Sequence, residues 1–457
     1  MQITIINRKH SLVMKNKILL TIFVIILTGI TSFGQPGGKE MKLTLKEAQE
    51  YAVKYNKAVK SARLQYEESK AAIWASISNL MPDVNFSASF NDNLKLMTTL
   101  LPGDFFGKPG TKVPVTFGSQ FNIGATAQAT VLLFNAPAII GIETTKLASQ
   151  LSSQSLEMSQ QDIKEAVSSV YYLILVSQES LETVDKNIKN LNETLKSTKA
   201  MLVAGMAEQT DVDQMVSNVT MMENSRSNLQ RMNEVDYNLM RLQLGVPIDT
   251  KITLTETLDD FVKTVDVDGL LSQKFDYTNN IMYKIMDSQE KIYSLNLKTR
   301  KSTVLPTLAG FINYGVNGMG DQTIPKDWFP NSMTGLQISV PIFASGYRYT
   351  NIQRAKIDLQ RARNEKERIS DQLLAQEKQL RYNLVNANLQ YKMQKDNIDL
   401  SDRIYASTEN KYKQGMASSL ELTQANQQYL QAINNYTSAL MTLLQSKLAL
   451  DKLLNNF

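Results

Sequence analysis

Asp211 and Asp213 stand two residues apart in the stretch QTDVDQ, and paired carboxylates can serve as general acid and base. The rest of the chain supplies no partner for that chemistry. The only histidine among 457 residues is His10, and there is no cysteine. This excludes thiol nucleophiles, thiolate zinc sites, iron–sulfur clusters and disulfides, and leaves almost no imidazole chemistry. No G-x-x-x-x-G-K-[ST] or G-x-G-x-x-G run joins a strand to a helix, so no phosphate-cradling loop is present. An enzyme is the reading that this composition supports least, and no cofactor or metal is expected.

His10 itself sits in a segment with the marks of an export signal. Arg8, Lys9, Lys15 and Lys17 precede the apolar run ILLTIFVIILTGI over residues 18–30, and no acid occurs before Glu40. A bilayer-spanning helix needs about 20 apolar residues, whereas a signal core needs only about 7–15. Ser32-Phe33-Gly34 offers small residues on both sides of Phe33, so cleavage is expected to leave Gln35 first, with 1–34 as the signal peptide. Met14 serves equally well as the start, since MKNKILL is a complete signal opening. Removing four of the 49 basic residues leaves 45 against 44 acidic ones, so the net charge falls from +5 to +1. The apparent basicity belongs to the signal, and no nucleic-acid partner is expected.

The remaining chain is written twice. Asn79-Leu80-Met81-Pro82-Asp83-Val84 returns as Thr303-Val304-Leu305-Pro306-Thr307-Leu308. Gln128, Val131 and Phe134 return as Gln337, Val340 and Phe343. Gly205-Met206, with Asp211-Val212 and Gln214 behind it, returns as Gly415-Met416, Glu421-Leu422 and Gln424. Conserved order across the whole chain is the signature of a tandem duplication.

Each copy holds the same four pieces. The first is a helix, from Lys46 to about Leu80 in copy 1, opened by the capping box Thr44-x-x-Glu47, and from about Leu270 to Val304 in copy 2. Prolines 82 and 306 end these helices. Two strands of period two follow. Val84, Phe86, Ala88 and Phe90 alternate with polar residues, as do Phe121 to Leu133, then Leu308 to Val316, then Leu336 to Ile342. Loops rich in glycine and proline separate the partners, at 103–115 and 318–331, and both are expected to face the exterior. Trp328-Phe329 is placed in the second loop, either as an ordered loop core or as a cover over the external mouth.

Then the period lengthens. Val167, Val170, Ile174, Ser177, Leu181, Val184, Ile188, Leu191, Leu195, Thr198 and Leu202 recur at steps of three and four. Ile352, Ala355, Leu359 and Ala362 begin the same pattern, which runs on to Tyr391, Ile398, Tyr405 and Tyr412. Such a seam marks a coiled coil, and 70 residues of helix reach on the order of 100 Å. Gly205 and Gly415 each break the register before a returning helix. An acidic connector, with one short strand over 251–257, joins the copies.

The expected organisation is a first helix and entry segment to 82, a strand pair over 83–134 and long helices over 135–247. A connector over 248–269 leads to a second helix over 270–306, a strand pair over 307–343 and long helices over 344–457. Four amphipathic strands cannot face lipid alone, because two open edges would leave unpaired backbone groups in hydrocarbon. Two chains would supply eight strands and three would supply twelve; the pattern does not choose. A soluble periplasmic coiled-coil scaffold with a half-buried sheet is the alternative.

Across this duplicated order the chain resembles the TolC-like outer-membrane efflux proteins. The local matches are Leu43-Thr44-Leu45-x-Glu47-Ala48, Leu305-Pro306, Pro341-Ile342-Phe343, and Tyr412-x-x-Gly415 with Glu421-Leu422-x-x-Ala425. The resemblance implies a mainly α fold with β: a long α-helical barrel and four transmembrane strands per chain, completed to twelve in a homotrimer. It also implies outer-membrane lipid around the barrel, a periplasmic adaptor and an inner-membrane transporter. By the same resemblance Thr210, Asp211, Tyr412 and Glu421 match a periplasmic gate, and Gly205, Met206, Gly415 and Met416 the adaptor-facing tips. Ala417 stands where a basic gate residue is common, and Gln424 where a further acid is common. The plain alternative for the acids is helix capping beside a turn. Phe134, Phe343, Tyr347 and Tyr349 stand where strands join helices, placed for an interfacial aromatic girdle or for packing inside the junction.

Overall fold

The computed structural model describes residues 40–457 except Lys108. The export signal and its cut before Gln35 lie outside the described residues. Strand β1 (Met41–Leu43) enters helix α1 (Leu45–Tyr55) through the expected capping box, with Thr44 N–H donating to Glu47 Oε2 at 2.9 Å. The first helix is broken where the sequence suggested continuity. Asn56 leaves the helical region and caps α2 (Lys57–Ser78), its Oδ1 accepting from Ala58 N at 2.7 Å. Its amide also donates to Gln243 O at 2.7 Å, which fixes the kink to a distant helix end.

Strand β2 (Asp83–Asp92) is followed by a short hairpin, β3 (Met97–Pro102) with β4 (Lys112–Phe117), and by β5 (Phe121–Phe134). The first loop is thus not irregular as expected; it carries this extra hairpin. Helix α3 (Ala136–Val203) runs 68 residues and α4 (Gln209–Leu244) returns for 36. The connector holds β6 (Ile252–Leu254), α5 (Leu258–Thr264) and α6 (Val267–Ser272). The second copy's leading helix, α7 (Ile281–Ser302), starts about ten residues later than expected, because Asn280 caps it after an irregular stretch. Strands β7 (Thr307–Gly320) and β8 (Trp328–Ser339) precede α8 (Tyr347–Lys413) of 67 residues and α9 (Ser419–Leu454) of 36. Matched lengths of the paired helices make the duplication visible in the fold.

Three further expectations are corrected. The second loop shrinks to 321–327, since β7 and β8 run beyond the glycine-rich stretch. Trp328 and Phe329 therefore belong to β8, where Trp328 lies against the backbone of Gly318. The strand also stops at Ser339, so Val340 and Ile342 lie outside it.

The main sheet has the order β2-β5-β7-β8, antiparallel throughout, with β5–β7 joining the two copies. Its register gathers the apolar residues on one face. Phe86 pairs with Ala127, Ala127 with Tyr314, and Ala129 with Ile312; Ile338 pairs with Leu308. Asn85, Gln128, Asn313 and Gln337 fall on the opposite face. A bulge at Leu133 shifts the register before the strand ends. The apolar face is bare: Phe86 is 73% exposed and Ile338 68%.

The seams of the long helices are buried as their spacing requires. Val167, Ile174, Val184, Leu191 and Thr198 are buried on α3, as are Ala355, Leu359, Tyr391, Tyr405 and Tyr412 on α8. Midway along the helices β1 and β6 pair in parallel, and Phe261 of α5 packs edge-on to Tyr171 and Tyr172. Glu256 accepts from Leu45 N–H at 2.6 Å and from the Tyr171 hydroxyl at 3.0 Å, tying the connector to α1 and α3. Gly245 ends α4 with φ +73, and a Cβ there would lie 2.8 Å from Tyr55 O. Among the described residues no helix is long and apolar enough to cross a membrane.

The face assignment is testable by charge. Ala127→Arg or Ile338→Arg places a cation on the apolar face, which near a bilayer midplane costs about 2–4 kcal/mol. Those variants should assemble poorly in the membrane, whereas Gln128→Arg and Gln337→Arg should assemble normally. Equal behaviour of both pairs, measured by membrane-extracted protein, would overturn the assignment.

Candidate functional site at the helical tips

The two hairpin turns share one construction. Gly205 has φ +72 and Gly415 φ +70, and a side chain at either would meet open space, so backbone conformation alone explains the glycines. Met206 N–H donates to Met201 O and Met416 N–H to Lys411 O, both at 2.8 Å. Each turn is thus a six-residue helix stop with a left-handed residue inside it. The methionines project outward, Met206 74% exposed and Met416 66%. Gly205-Met206 and Gly415-Met416 therefore occupy the ends of the two hairpins.

Both returning helices open with a capping box. Glu208 N–H donates to Asp211 Oδ2 at 2.9 Å, and Ser418 N–H to Glu421 Oε2 at 2.7 Å. Asp211 does more than cap its own helix: its Oδ1 accepts from the Ser419 hydroxyl across the gap between the hairpins. That bond, with the Glu208 N–H, holds the Asp211 carboxyl below its ordinary range. Glu421 is held low chiefly by the Ser418 N–H and then by the Ser418 hydroxyl. Thr210 is exposed and donates to Glu208 Oε2 at 3.3 Å. Asp213 accepts from Gln209 at 2.8 Å, a partner separate from the Glu208 N–H and Ser419 hydroxyl that engage Asp211.

Tyr412 is buried, and its hydroxyl lies 2.9 Å from Thr198 Oγ1. Burial pushes the phenol up, with proximity to Asp211 adding to it. The structure thus brings Asp211 to Ser419 and Tyr412 to Thr198, while Thr210 and Glu421 stay on their own tips. Ser419 and Thr198 are the partners that motif reasoning passed over. Thr198 was legible as a polar residue on an apolar seam; Ser419 gave no signal, being the second of two adjacent serines at a helix start. Among the described residues no cluster of histidine, cysteine and acidic side chains could hold a metal ion.

The family model for the outer membrane efflux protein matches residues 50–245 and 296–456. Crystal structures of CusC align with a TM-score of 0.71 at 15% identity, over 93% of this chain and 95% of that one. VceC of Vibrio cholerae aligns at 0.71 and 14%, over 90% and 95%. The open state of the MtrE channel of Neisseria gonorrhoeae aligns at 0.72 and 16%, over 90% and 88%. No curated protein sequence gave a significant match. The duplicated order, the four-stranded sheet and the long helical hairpins agree with a match spanning both copies: the chain belongs to the outer membrane efflux protein family.

Proposed function

We propose that three copies of this chain form a passive channel-tunnel in the outer membrane. It would carry substrates outward from a periplasmic adaptor and an inner-membrane transporter. One observation carries the reading: a bare apolar sheet face bounded by two open edges, β2 and β8. Those edges run antiparallel to each other, so β8 of one copy can extend its ladder onto β2 of the next. Closing such a ring removes every edge and leaves apolar side chains toward lipid and amides toward a lumen. Three copies give twelve strands, the number that membership of the family leads us to propose. The long helices would continue the ring as a tunnel, with Gly205, Met206, Gly415 and Met416 facing the adaptor. No residue set supports turnover, and the cargo would be chosen by the pump. Nothing in the tips favours the soluble scaffold, which also leaves the apolar sheet face unexplained.

Membrane fractionation with unheated electrophoresis tests this reading. Detergent-extracted protein should migrate as a trimer and collapse to a monomer on heating. Release into the aqueous periplasmic fraction would favour the scaffold instead.

The tips would be the gate. Around one threefold axis Asp211 and Glu421 supply six carboxylates, which attract cations to the constriction. Because the Asp211 pKa is depressed, its contact with Ser419 is present at neutral pH. It is lost as pH falls through that lowered value. Losing both acids in Asp211→Ala with Glu421→Ala should reduce cation selectivity and weaken block by multivalent cations. Tyr412→Phe should raise open probability without changing selectivity. Unchanged selectivity of the double variant in planar bilayers would remove both acids from the pore lining.

A further inference from the structure

At the waist, where α1, α3, α9 and the connector meet, a cleft of about 440 Å³ lies between the elements. Small-ligand sites commonly measure about 300–1,000 Å³. The Gln49 amide of α1 donates to Ser168 Oγ of α3 at 2.7 Å and fixes one wall against the other. Lys164, Ser168 and Tyr172 follow at steps of four on α3, so they line one face of that helix over roughly 12 Å. Glu256 of the connector and Lys46 and Glu50 of α1 stand on the remaining sides.

Many polar groups around the cleft bond to one another. Lys447 donates to Asp451 Oδ2 at 2.6 Å, Asn456 donates to Asp451 Oδ1 at 3.1 Å, and the Ser168 hydroxyl donates to Lys164 O at 2.7 Å. Tyr172 is the exception. It is 4% exposed, its ring packs edge-on to Phe261, and its hydroxyl has no hydrogen-bond partner among the described residues. Tyr171 beside it, by contrast, bonds both Leu43 O and Glu256. Burial, with the carboxylates of Asp451 and Glu256 nearby, pushes the Tyr172 phenol up to about 12, so it remains a donor. A buried tyrosine hydroxyl ordinarily finds a partner.

The charges are also unspent. Glu256 uses Oε2 for Leu45 N–H and Tyr171, which leaves Oε1 open, and Lys46, Lys164 and Glu50 form no ion pair among the described residues. Two free ammonium groups and two free carboxylates suit a ligand that carries both signs better than a simple anion or cation.

We propose that this cleft binds a short peptide with free termini. The terminal ammonium sits on Glu256 Oε1 against the Phe261 and Tyr172 rings, the Tyr172 hydroxyl donates to a peptide carbonyl, and the terminal carboxylate meets Lys164. An extended chain advances about 3.3–3.6 Å per residue, so two or three residues bridge the Tyr172 and Lys164 ends. Such a ligand ties α1, α3 and the connector together at the level where β1 and β6 pair.

Calorimetric titration of tri-alanine into the detergent-extracted protein tests the site. Saturable binding is expected, weakened about tenfold by N-acetylation or by C-terminal amidation of the peptide, since each removes one charged contact. Tyr172→Phe keeps the ring and its packing on Phe261 and should weaken binding about fivefold. Lys164→Gln should weaken binding of tri-alanine but not of its C-terminal amide. That pairing separates contact with the ligand from a general loosening of the waist, and unheated electrophoresis reports the assembly of each variant. Absence of saturation at about 10 mM tri-alanine, equal binding of the doubly blocked peptide, or unchanged affinity in Tyr172→Phe overturns the proposal.

Discussion

A sheet edge is a row of unpaired amides, and the cost of leaving that row in hydrocarbon governs this molecule. The chain builds four strands with one apolar face, then stops with β2 and β8 open. Such a sheet is incomplete by itself, because its register places Phe86, Ile312, Leu336 and Ile338 on a face that nothing among the described residues covers. In the proposed assembly a neighbouring copy is the remedy, since it presents the matching antiparallel edge. Closure also sets the helices: α3 and α8 descend from the ends of β5 and β8, so a ring of strands implies a ring of hairpins below it.

Those hairpins solve a different problem. Helices of 68 and 67 residues cannot be stabilised by one globular core, and they are held instead by seams. Midway down, the seams merge into a large apolar cluster to which β1, β6, Phe261 and the Glu256–Tyr171 bond are attached. Arg381 of α8 clamps the connector from the other side, donating to the carbonyls of Leu271 and Gln273 at 2.5 and 2.6 Å. Below that girdle the contacts between copies are mixed: Met215 packs with Tyr405, Tyr412 and Leu422, and the buried pairs Asn187–Asn426 and Asn218–Thr423 stand beside them.

Much of this was legible in the sequence because periodicity and duplication are global signals. Period-two runs located all four long strands, and steps of three and four located both long helices. The gains and losses at finer scale have local causes. Asn56 breaks the first helix because it bonds Gln243, a contact 187 residues away that no local pattern encodes. The β3–β4 hairpin was hidden by Pro102 and Pro114, which are tolerated in strands with free edges. Trp328 was read as loop because Pro325, Asp327 and Pro330 flank it, yet its ring fills the space beside Gly318. At the tips, Asp211 and Tyr412 were found through family motifs, but their partners Ser419 and Thr198 belong to the opposite hairpin and emerge only when the hairpins are packed together.

The central claim is that β8 of one copy completes its ladder on β2 of the next and that the ring closes at three. Single cysteines scanned along β2, each combined with one on β8, give the direct measurement after oxidation in the membrane. The account requires covalent species that end at the trimer, formed by pairs whose side chains lie on the same sheet face. Ladders that continue past three chains, or no cross-link at any β2–β8 pair, would contradict it.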